Sequence, residues 1–299
     1  MARLGAHVST AGGVARAIAR GRGLGCEALQ IFVKSPSQWR APALAATEIA
    51  RFAEERAAAG ALPVVAHAAY LINLAAPDPA VLEKSRRALA DELARAAALG
   101  LDGVVVHPGA HLGAGEAAGL DAVARSLDAV LADLPTAGPR LLLELTAGQG
   151  TVLGRTLGEL RGIYDRAAAK PRLGFCLDTC HAFAGGHAIG SAAGMARFLD
   201  EADAALGLDR VACWHVNDSV GALGSRRDRH ANIGEGEIGL DGFARLVADA
   251  RLTAAPMILE TPFGDDEQGH ARDLAVLRRL VSRRPSSAPP ASRRRSRGR

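Results

Sequence analysis

Several residue types are scarce in this chain of 299 residues, and each scarcity excludes a class of protein. The four cysteines are too few and too scattered for the disulfide framework of a small secreted domain, and they suit a reducing compartment. No apolar run approaches the roughly 18 residues that a membrane-spanning helix needs. Residues 1–5 lead straight into a strand-like run and leave no room for a signal peptide. We therefore expect a cytoplasmic protein that does not bind membranes.

Lysine is also rare, since only Lys34, Lys84 and Lys170 stand against abundant arginine. This bias makes the arginine content and the formal net charge of +4 poor evidence for a polyanionic ligand. Residues 281–299 carry seven arginines and no acid, so the formal net charge is +4 for the whole chain but −3 for residues 1–280. The Arg/Pro/Ser-rich residues 283–299 are predicted to form a disordered tail, which either adds phosphate affinity or is only a solvated end.

Apolar runs alternate with runs of strong helix formers along residues 1–282, which are predicted to form one domain. Strands are predicted near residues 3–8, 28–33, 63–67, 103–107, 140–145, 173–178, 211–217 and 256–260. Helices are predicted near residues 12–22, 44–59, 79–99, 117–133, 156–169, 191–206, 240–250 and 268–281. Eight such units fit the size of an α/β domain folded as a (β/α)₈ TIM barrel. A doubly wound open sheet is the alternative, but it explains less well why polar residues end so many strands.

Ligand-type residues end six of the predicted strands. A buried parallel strand reads as a continuous apolar run, and polar residues at the carboxyl ends of barrel strands form active sites. Such groups are costly to bury together unpaired, whereas divalent cations, which imidazole and carboxylate bind, remove that penalty. The sequence therefore predicts a multi-metal hydrolytic site at the mouth of the barrel. Its candidate ligands are His67, His107, Glu144, Asp178, His181, His215, Asp228, His230 and Glu260.

Spacing supports the candidate ligands that do not end strands. Asp178 and His181 lie three residues apart, where the strand is expected to turn into a loop. Asp228 and His230 flank Arg229, so in an extended segment both candidate ligands point to one side. Taken singly, each could also be a capping residue or a member of a loop salt bridge. Nine ligand groups are too many for one ion with four protein ligands, and they suit three ions with one bridging carboxylate.

Two further patterns have non-catalytic interpretations. The segment from Gly234 to Gly239 formally matches a dinucleotide fingerprint, but no apolar strand precedes it and no βαβ unit surrounds it. We interpret it as a glycine-rich loop beside the metal site. Cys176 and Cys180 flank Asp178, and strand alternation favours core positions for both over thiolate ligation.

Aromatic and apolar residues continue past two predicted strands into the loops that follow. Gln38 and Trp39 follow the second strand, and Tyr70 and Leu71 follow the third. Exposed side chains of this kind at an active-site rim stack on bases or enter a DNA step. The alternative is that these loops pack on their own barrel. Lys34 is interpreted as a phosphate contact or a surface residue, in preference to the amine of a Schiff base.

At these residues the chain resembles endonuclease IV, a family of zinc-dependent apurinic/apyrimidinic endonucleases. The resemblance runs over nearly the whole chain, from Gly5 to Thr261. Its most specific segments are Tyr70-Leu71-Ile72-Asn73-Leu74, His107-Pro108-Gly109, Thr146-Ala147-Gly148-Gln149-Gly150, Asp178-Thr179-Cys180-His181-Ala182, His215-Val216-Asn217-Asp218 and Gly224-Ser225-Arg226-Arg227-Asp228-Arg229-His230.

The resemblance implies a TIM barrel that binds three Zn²⁺ ions per chain, with Mn²⁺ as an alternative at one or more sites. Glu144 would bridge the first ion to the second. The remaining ligands would be His67 and His107 for the first ion, Asp178, His215 and Glu260 for the second, and His181, Asp228 and His230 for the third.

The activity implied by the resemblance belongs to base excision repair of DNA. The enzyme would hydrolyse the phosphodiester 5′ to abasic sites in duplex DNA, leaving 3′-hydroxyl and 5′-deoxyribose phosphate ends. Glu144 would be the catalytic residue that accepts the nucleophile's proton. Gln38, Trp39, Tyr70 and Leu71 would contact the DNA. A monomer is expected.

Two positions depart from the family pattern. Leu145 stands where an asparagine usually follows the bridging glutamate, which predicts the loss of a hydrogen bond that orients a ligand. Ser37 stands where some relatives present an arginine, which predicts the loss of one DNA-inserting contact.

Two rival functions remain open on the residues alone. A sugar isomerase or epimerase on the same barrel would use two ions, held by Glu144, Asp178, His215 and Glu260, and fold alone does not decide between the two enzymes. The third ligand set separates the nuclease from the isomerase. A non-catalytic DNA-binding module is the other rival, and it would need no open metal site.

Overall fold

Eight parallel strands close into a barrel in the computed structural model, which describes residues 2–252, 254–265 and 267–282. β1 pairs on one side with β2 and on the other with the last strand, β10, and this closes the cylinder. A short antiparallel pair, β8 and β9, lies outside the barrel. The strands are β1 (Arg3–His7), β2 (Ala28–Ile31), β3 (Val64–His67), β4 (Gly103–Val106), β5 (Arg140–Glu144), β6 (Leu173–Asp178), β7 (Val211–His215), β8 (Asp218–Ser219), β9 (His230–Ala231) and β10 (Pro256–Leu259).

Helices connect the barrel strands, and side-chain caps begin several of them. Asp78 accepts hydrogen bonds from the first turn of α3, and Thr156 and Ser191 do the same for α5 and α7. Every helix among the described residues is too short or too polar to cross a bilayer. The helices are α1 (Ala15–Gly23), α2 (Ala46–Ala58), α3 (Pro79–Ala98), α4 (Glu116–Ala132), α5 (Leu157–Arg166), α6 (Thr179–Gly185), α7 (Ala192–Leu206), α8 (Leu240–Ala248) and α9 (Gly269–Ser282), with 3₁₀ turns at Lys170–Arg172, Leu208–Arg210 and Ala250–Leu252.

The predicted TIM barrel is confirmed, and each barrel strand lies within its predicted range. One local expectation was wrong: the chain after Asp178 does not turn into a loop but forms α6. The Asp178 carboxylate accepts the N–H of His181 at 2.8 Å and so caps this short helix, which Gly186 ends at φ 110°. The predicted disordered tail, residues 283–299, lies outside the described residues.

The apolar side chains form two layers. A large core lies between the strands and the helices, and a smaller cluster fills the barrel interior. Cys176 belongs to the interior cluster, as strand alternation predicted, and Cys180 is also buried, although it lies on α6 and not on a strand. The interior cluster consists of Ala28, Val65, Val105, Leu142, Cys176, Cys213 and Ile258.

Candidate metal centre

The interior cluster determines which side chains reach the mouth, meaning the carboxyl ends of the barrel strands. Successive strand residues point to opposite faces, so the residue two positions after an interior one again points toward the axis. Counting two residues onward from the interior position of each strand, with Gly5 as that position in β1, gives one polar residue per strand. These eight residues are His7, Gln30, His67, His107, Glu144, Asp178, His215 and Glu260.

The first group of potential ligands combines two imidazoles with one buried carboxylate. Oε2 of Glu144 lies 3.2 Å from Nε2 of His67 and 3.0 Å from Nε2 of His107. Glu144 is fully buried, and His107 remains partly exposed. One donor atom from each residue falls within a sphere that could hold a single metal ion.

The second group shares Glu144 with the first. Its other oxygen, Oε1, lies 2.8 Å from Nδ1 of His215, and that nitrogen lies 3.2 Å from Oε2 of Glu260. Oδ2 of Asp178 lies 3.9 Å from the same nitrogen. These four residues form a second cluster with ligand spacing, so the Glu144 carboxylate has one oxygen in each of two groups.

The third group is assembled by α6 and by the segment that leads into β9. Oδ1 of Asp228 lies 3.2 Å from Nε2 of His181 and 3.3 Å from Nε2 of His230. Both Nε2 atoms are buried, yet neither has the geometry of a hydrogen bond to any described protein atom. Asp178 also approaches this group, with its Oδ2 3.7 Å from Nε2 of His230, so it lies between the second and third groups.

Carbonyl groups fix the tautomers of four histidines. Nδ1 of His67, His181 and His230 donates to the backbone carbonyls of Ala68, Leu145 and Glu260 at 2.7, 2.8 and 3.1 Å. In His215 the pattern is reversed, because Nε2 donates to a side-chain amide oxygen. Each ring therefore turns its second nitrogen toward the carboxylates. A lone pair facing a carboxylate is repulsive unless a proton or a metal ion lies between them.

The charges at the mouth lower the pKa of a carboxylate and raise the pKa values of imidazoles, so that each group is stabilised in its charged form. Burial raises the pKa of Glu144, but the charges of His215 and His107 outweigh it and hold that pKa well below its usual range. Burial lowers the pKa of His215, but Glu260 and Glu144 raise it well above its usual value. Burial likewise lowers the pKa of His230, but Asp228 and Asp178 outweigh burial and raise that pKa to about 9. In the metal-free protein, protons on the imidazoles thus balance the carboxylates.

Three polar residues that the sequence reasoning missed support the ligands. The fully buried Gln30 donates from Nε2 to Oε1 of Glu260 at 2.6 Å and accepts from His215 at 2.8 Å. Asn217 donates to Oδ2 of Asp178 and accepts the backbone N–H of Glu260, both at 2.7 Å. His7 lies 3.4 Å from Glu260. The two-residue offset from the interior positions of β1 and β2 could have identified His7 and Gln30.

The donor set suits borderline divalent cations. Five imidazoles and four carboxylates make up the nine predicted ligands, and all nine lie in the three groups or in contact with them. Burial raises the pKa of the Cys180 thiol to about 12, which disfavours thiolate ligation there. Nitrogen and oxygen donors without thiolate are typical of Zn²⁺, Mn²⁺ and similar ions.

Leu145 supports the site through its backbone. Its carbonyl accepts the Nδ1–H of His181, and its side chain is fully buried in the core. The backbone at this position thus orients His181, while the loss of a side-chain hydrogen bond at Leu145 stays a prediction.

The predicted DNA-contact residues separate into two places. Tyr70 is 65% exposed and lines a cavity of about 370 Å³ together with six of the potential ligands. Leu71 beside it is 37% exposed. Trp39 is half-buried and lies against α3, where Nζ of Lys84 is 4.4 Å from its ring centroid. Gln38 is exposed in the same loop. Four other exposed apolar residues follow barrel strands without having been predicted: Leu112, Val220, Leu223 and Phe263.

Comparison with known proteins gives concordant matches. A family described as xylose isomerase-like TIM barrels matches residues 18–280. A Chloroflexus aurantiacus protein named probable endonuclease 4 is 47% identical over 281 residues, 94% of this chain and 99% of that protein. The crystal structure of endonuclease IV from Thermus thermophilus has a TM-score of 0.83 at 42% identity, covering 94% of this chain and 99% of that one. A D-tagatose 3-epimerase-like protein (TM-score 0.71, 20% identity, coverage 94% and 97%) shares the fold alone.

The pKa of His230 predicts how the stability of the chelator-treated protein depends on pH. The folded value of about 9 lies above the ordinary 6.5, so this ring's contribution is fully present below about pH 6.5 and is lost as the pH rises through about 9. The thermal unfolding midpoint should therefore decrease as the pH rises from about 6.5 to about 9, and this decrease should be smaller in His230→Asn.

His187→Asn is the matched control for this measurement. Burial lowers the pKa of His187, which lies outside the ligand groups, so its contribution does not fade in the same pH window. The control should keep the parental pH dependence. An equal slope in parent and His230→Asn would contradict the charge balance inferred at the mouth.

Proposed function

The chain belongs to the endonuclease IV family, and on that premise we propose that it hydrolyses the phosphodiester 5′ to abasic sites in duplex DNA. The products would be 3′-hydroxyl and 5′-deoxyribose phosphate ends. One observation carries the proposal: the third ligand group, with two buried imidazole nitrogens aimed at Asp228, adjoins the pair of groups that share Glu144. A monomeric state, a cytoplasmic location and a phosphate-binding tail stay predictions.

We assign the nine ligands to three divalent ions, with zinc as the expected metal and Mn²⁺ as an alternative at one or more sites. Ions bound there would acidify a water molecule and neutralise charge on the scissile phosphate. The first ion would be held by His67 and His107, the second by Asp178, His215 and Glu260, and the third by His181, Asp228 and His230, with Glu144 between the first and second.

We assign to Glu144 the roles of bridging carboxylate and proton acceptor. Its two oxygens face different ligand groups, and full burial keeps it from rotating into solvent. We assign to it the proton of the attacking water. Gln30 and Asn217 act as positioning residues, because they fix the carboxylates of Glu260 and Asp178 through hydrogen bonds.

Substrate choice would depend on the rim. An abasic sugar leaves the helix with little loss of stacking, so it reaches a recessed site more easily than an intact nucleotide. Tyr70 borders the mouth, and both Tyr70 and the adjacent Leu71 are exposed enough to occupy the gap that the sugar leaves. Gln38 and Trp39 would contact the duplex farther from the metals.

The sugar isomerase alternative is favoured by one feature alone, the cluster of Glu144, Asp178, His215 and Glu260. A two-ion isomerase gives no role to the third group. Fold does not decide between these activities, since the barrel is also found in an epimerase-like protein. The number of bound ions does decide.

Incision of an abasic duplex is the direct test of the proposal. The purified protein should cut a duplex with one abasic analogue on its 5′ side, and mapping of the ends should find a 3′-hydroxyl. Glu144→Gln should lower the rate by several orders of magnitude, because one bridging charge is lost. Glu83→Gln, an exposed carboxylate on α3, should leave the rate unchanged. Incision by Glu144→Gln within about tenfold of the parent would remove Glu144 from the mechanism.

Metal content per chain separates the nuclease from the isomerase. Elemental analysis of the parent should find three divalent ions, whereas an isomerase would hold two. The variant His181→Ala/His230→Ala should lose one ion and its activity on DNA, since both imidazoles of the third group are gone. Two ions in the parent, unchanged in this variant, would argue for the isomerase.

Replacement of Tyr70 and Leu71 by alanine tests the rim. Lost stacking of about 1–3 kcal/mol per base should reduce activity on abasic duplex by about tenfold or more. Metal content and hydrolysis of a small activated phosphodiester should not change, because neither residue is a potential ligand. Val81→Ala, which trims an exposed apolar side chain on α3, is the control. Equal losses on both substrates would show that the rim residues support the barrel.

A further inference from the structure

Lys34 is a buried cation that the proposed chemistry does not use. Its side chain is 1% exposed, which contradicts its interpretation as a surface residue or phosphate contact. Its Nζ lies 3.2 Å from the Trp39 carbonyl oxygen, 3.3 Å from that of Ala88, and 3.2 and 3.3 Å from the carboxylates of Asp91 and Glu92. An ammonium group has three donors, so these acceptors leave none of them for a substrate.

Glu92 extends the network to the other rim loop. This carboxylate on α3 is 1% exposed, and both of its oxygens lie 3.2 Å from the backbone nitrogen of Ala69, the residue before Tyr70. The pair of Lys34 and Glu92 thus connects the backbone of the loop that carries Trp39 with the backbone of the loop that carries Tyr70.

Two further contacts strengthen the connection. Arg95 of α3 binds Asp91 at 3.0 Å and donates to the carbonyl oxygens of Ala41 and Pro42, which lie farther along the first loop. Phe32 packs edge-on against the ring of Tyr70, with centroids 5.6 Å apart. One face of α3 therefore holds residues 34–42 and residues 68–71 in a fixed relation.

We propose that Lys34 and Glu92 are positioning residues that fix the two rim loops relative to each other, so that both engage the same duplex. The inference rests on the proposed function for its substrate but not for the coupling of the loops. A buried ion pair that has lost one partner is strongly unfavourable, whereas an apolar pair of similar size is often tolerated. The pair therefore contributes more to the relative placement of the two loops than to the stability of the folded protein.

The test is the double variant Lys34→Met/Glu92→Leu, which removes both charges and retains apolar bulk. Hydrogen exchange followed by mass spectrometry should show faster exchange in residues 34–42 and in residues 68–74 together. For abasic duplex, KM should rise by about tenfold, the loss expected for one misplaced stacking contact, with kcat little changed. Metal content and hydrolysis of a small activated phosphodiester should match those of the parent.

Lys84→Met is the matched control, because it removes an exposed charge beside the Trp39 ring and leaves the buried pair intact. It should not alter exchange in residues 68–74. If the double variant does not fold, Glu92→Gln, which keeps an oxygen for the Ala69 N–H, should show the same paired change in exchange to a smaller extent.

Faster exchange in one loop alone, or equal losses of activity on the duplex and the small phosphodiester, would overturn the proposal. A parent protein that does not incise abasic duplex would reject the proposed function, while the exchange measurement would still test the coupling of the loops.

Discussion

The charge balance at the mouth of the barrel is the constraint on which the rest of the site depends. Four carboxylates and five imidazoles share a largely buried space, with Glu144 fully enclosed between two ligand groups. Carboxylates at this spacing repel one another unless positive charge lies among them. Raised pKa values of His215 and His230 show that protons supply it when metal is absent. Divalent ions would supply it without protonating the ligands, so ligand geometry and metal affinity have one physical origin.

The groups around the ligands follow from the same constraint. Carbonyl oxygens hold one nitrogen of His67, His181, His215 and His230, and this leaves the other nitrogen free for a cation. The Gln30 amide orients two ligands at once, because it donates to Glu260 and accepts from His215. Farther out, Lys34 and Glu92 bury a second set of charges to hold the loops that border the mouth. Hydrogen bonds and paired charges therefore fix both the ligands and the loops at the rim.

The same barrel supports different chemistries, and the differences arise outside its strands. The strand-end residues form two ligand groups that would suit either a nuclease or an isomerase. α6 contributes His181, the segment before β9 contributes Asp228 and β9 begins with His230, and these residues favour the nuclease. Exposed Tyr70 and Leu71 also lie on a connecting loop. Activity on such a fold is thus determined by its loops, as expected when the strands provide only a rigid support.

The sequence by itself determined the barrel and the exposed Tyr70, and it predicted the nine candidate ligands that the fold gathers at the mouth. Strand periodicity and strand-end polarity are local signals, and residue spacing indicated the ligands that do not end strands. It did not reveal His7 and Gln30, since neither follows a long apolar run, and their role appears only when the interior positions of neighbouring strands are aligned. Helix α6 was missed because its cap, Asp178, was interpreted only as a ligand. The burial of Lys34 was decided by tertiary structure alone, because its partners Asp91 and Glu92 lie on α3, far along the chain. Contacts between distant residues depend on how helices pack around the barrel, and no local pattern encodes that packing.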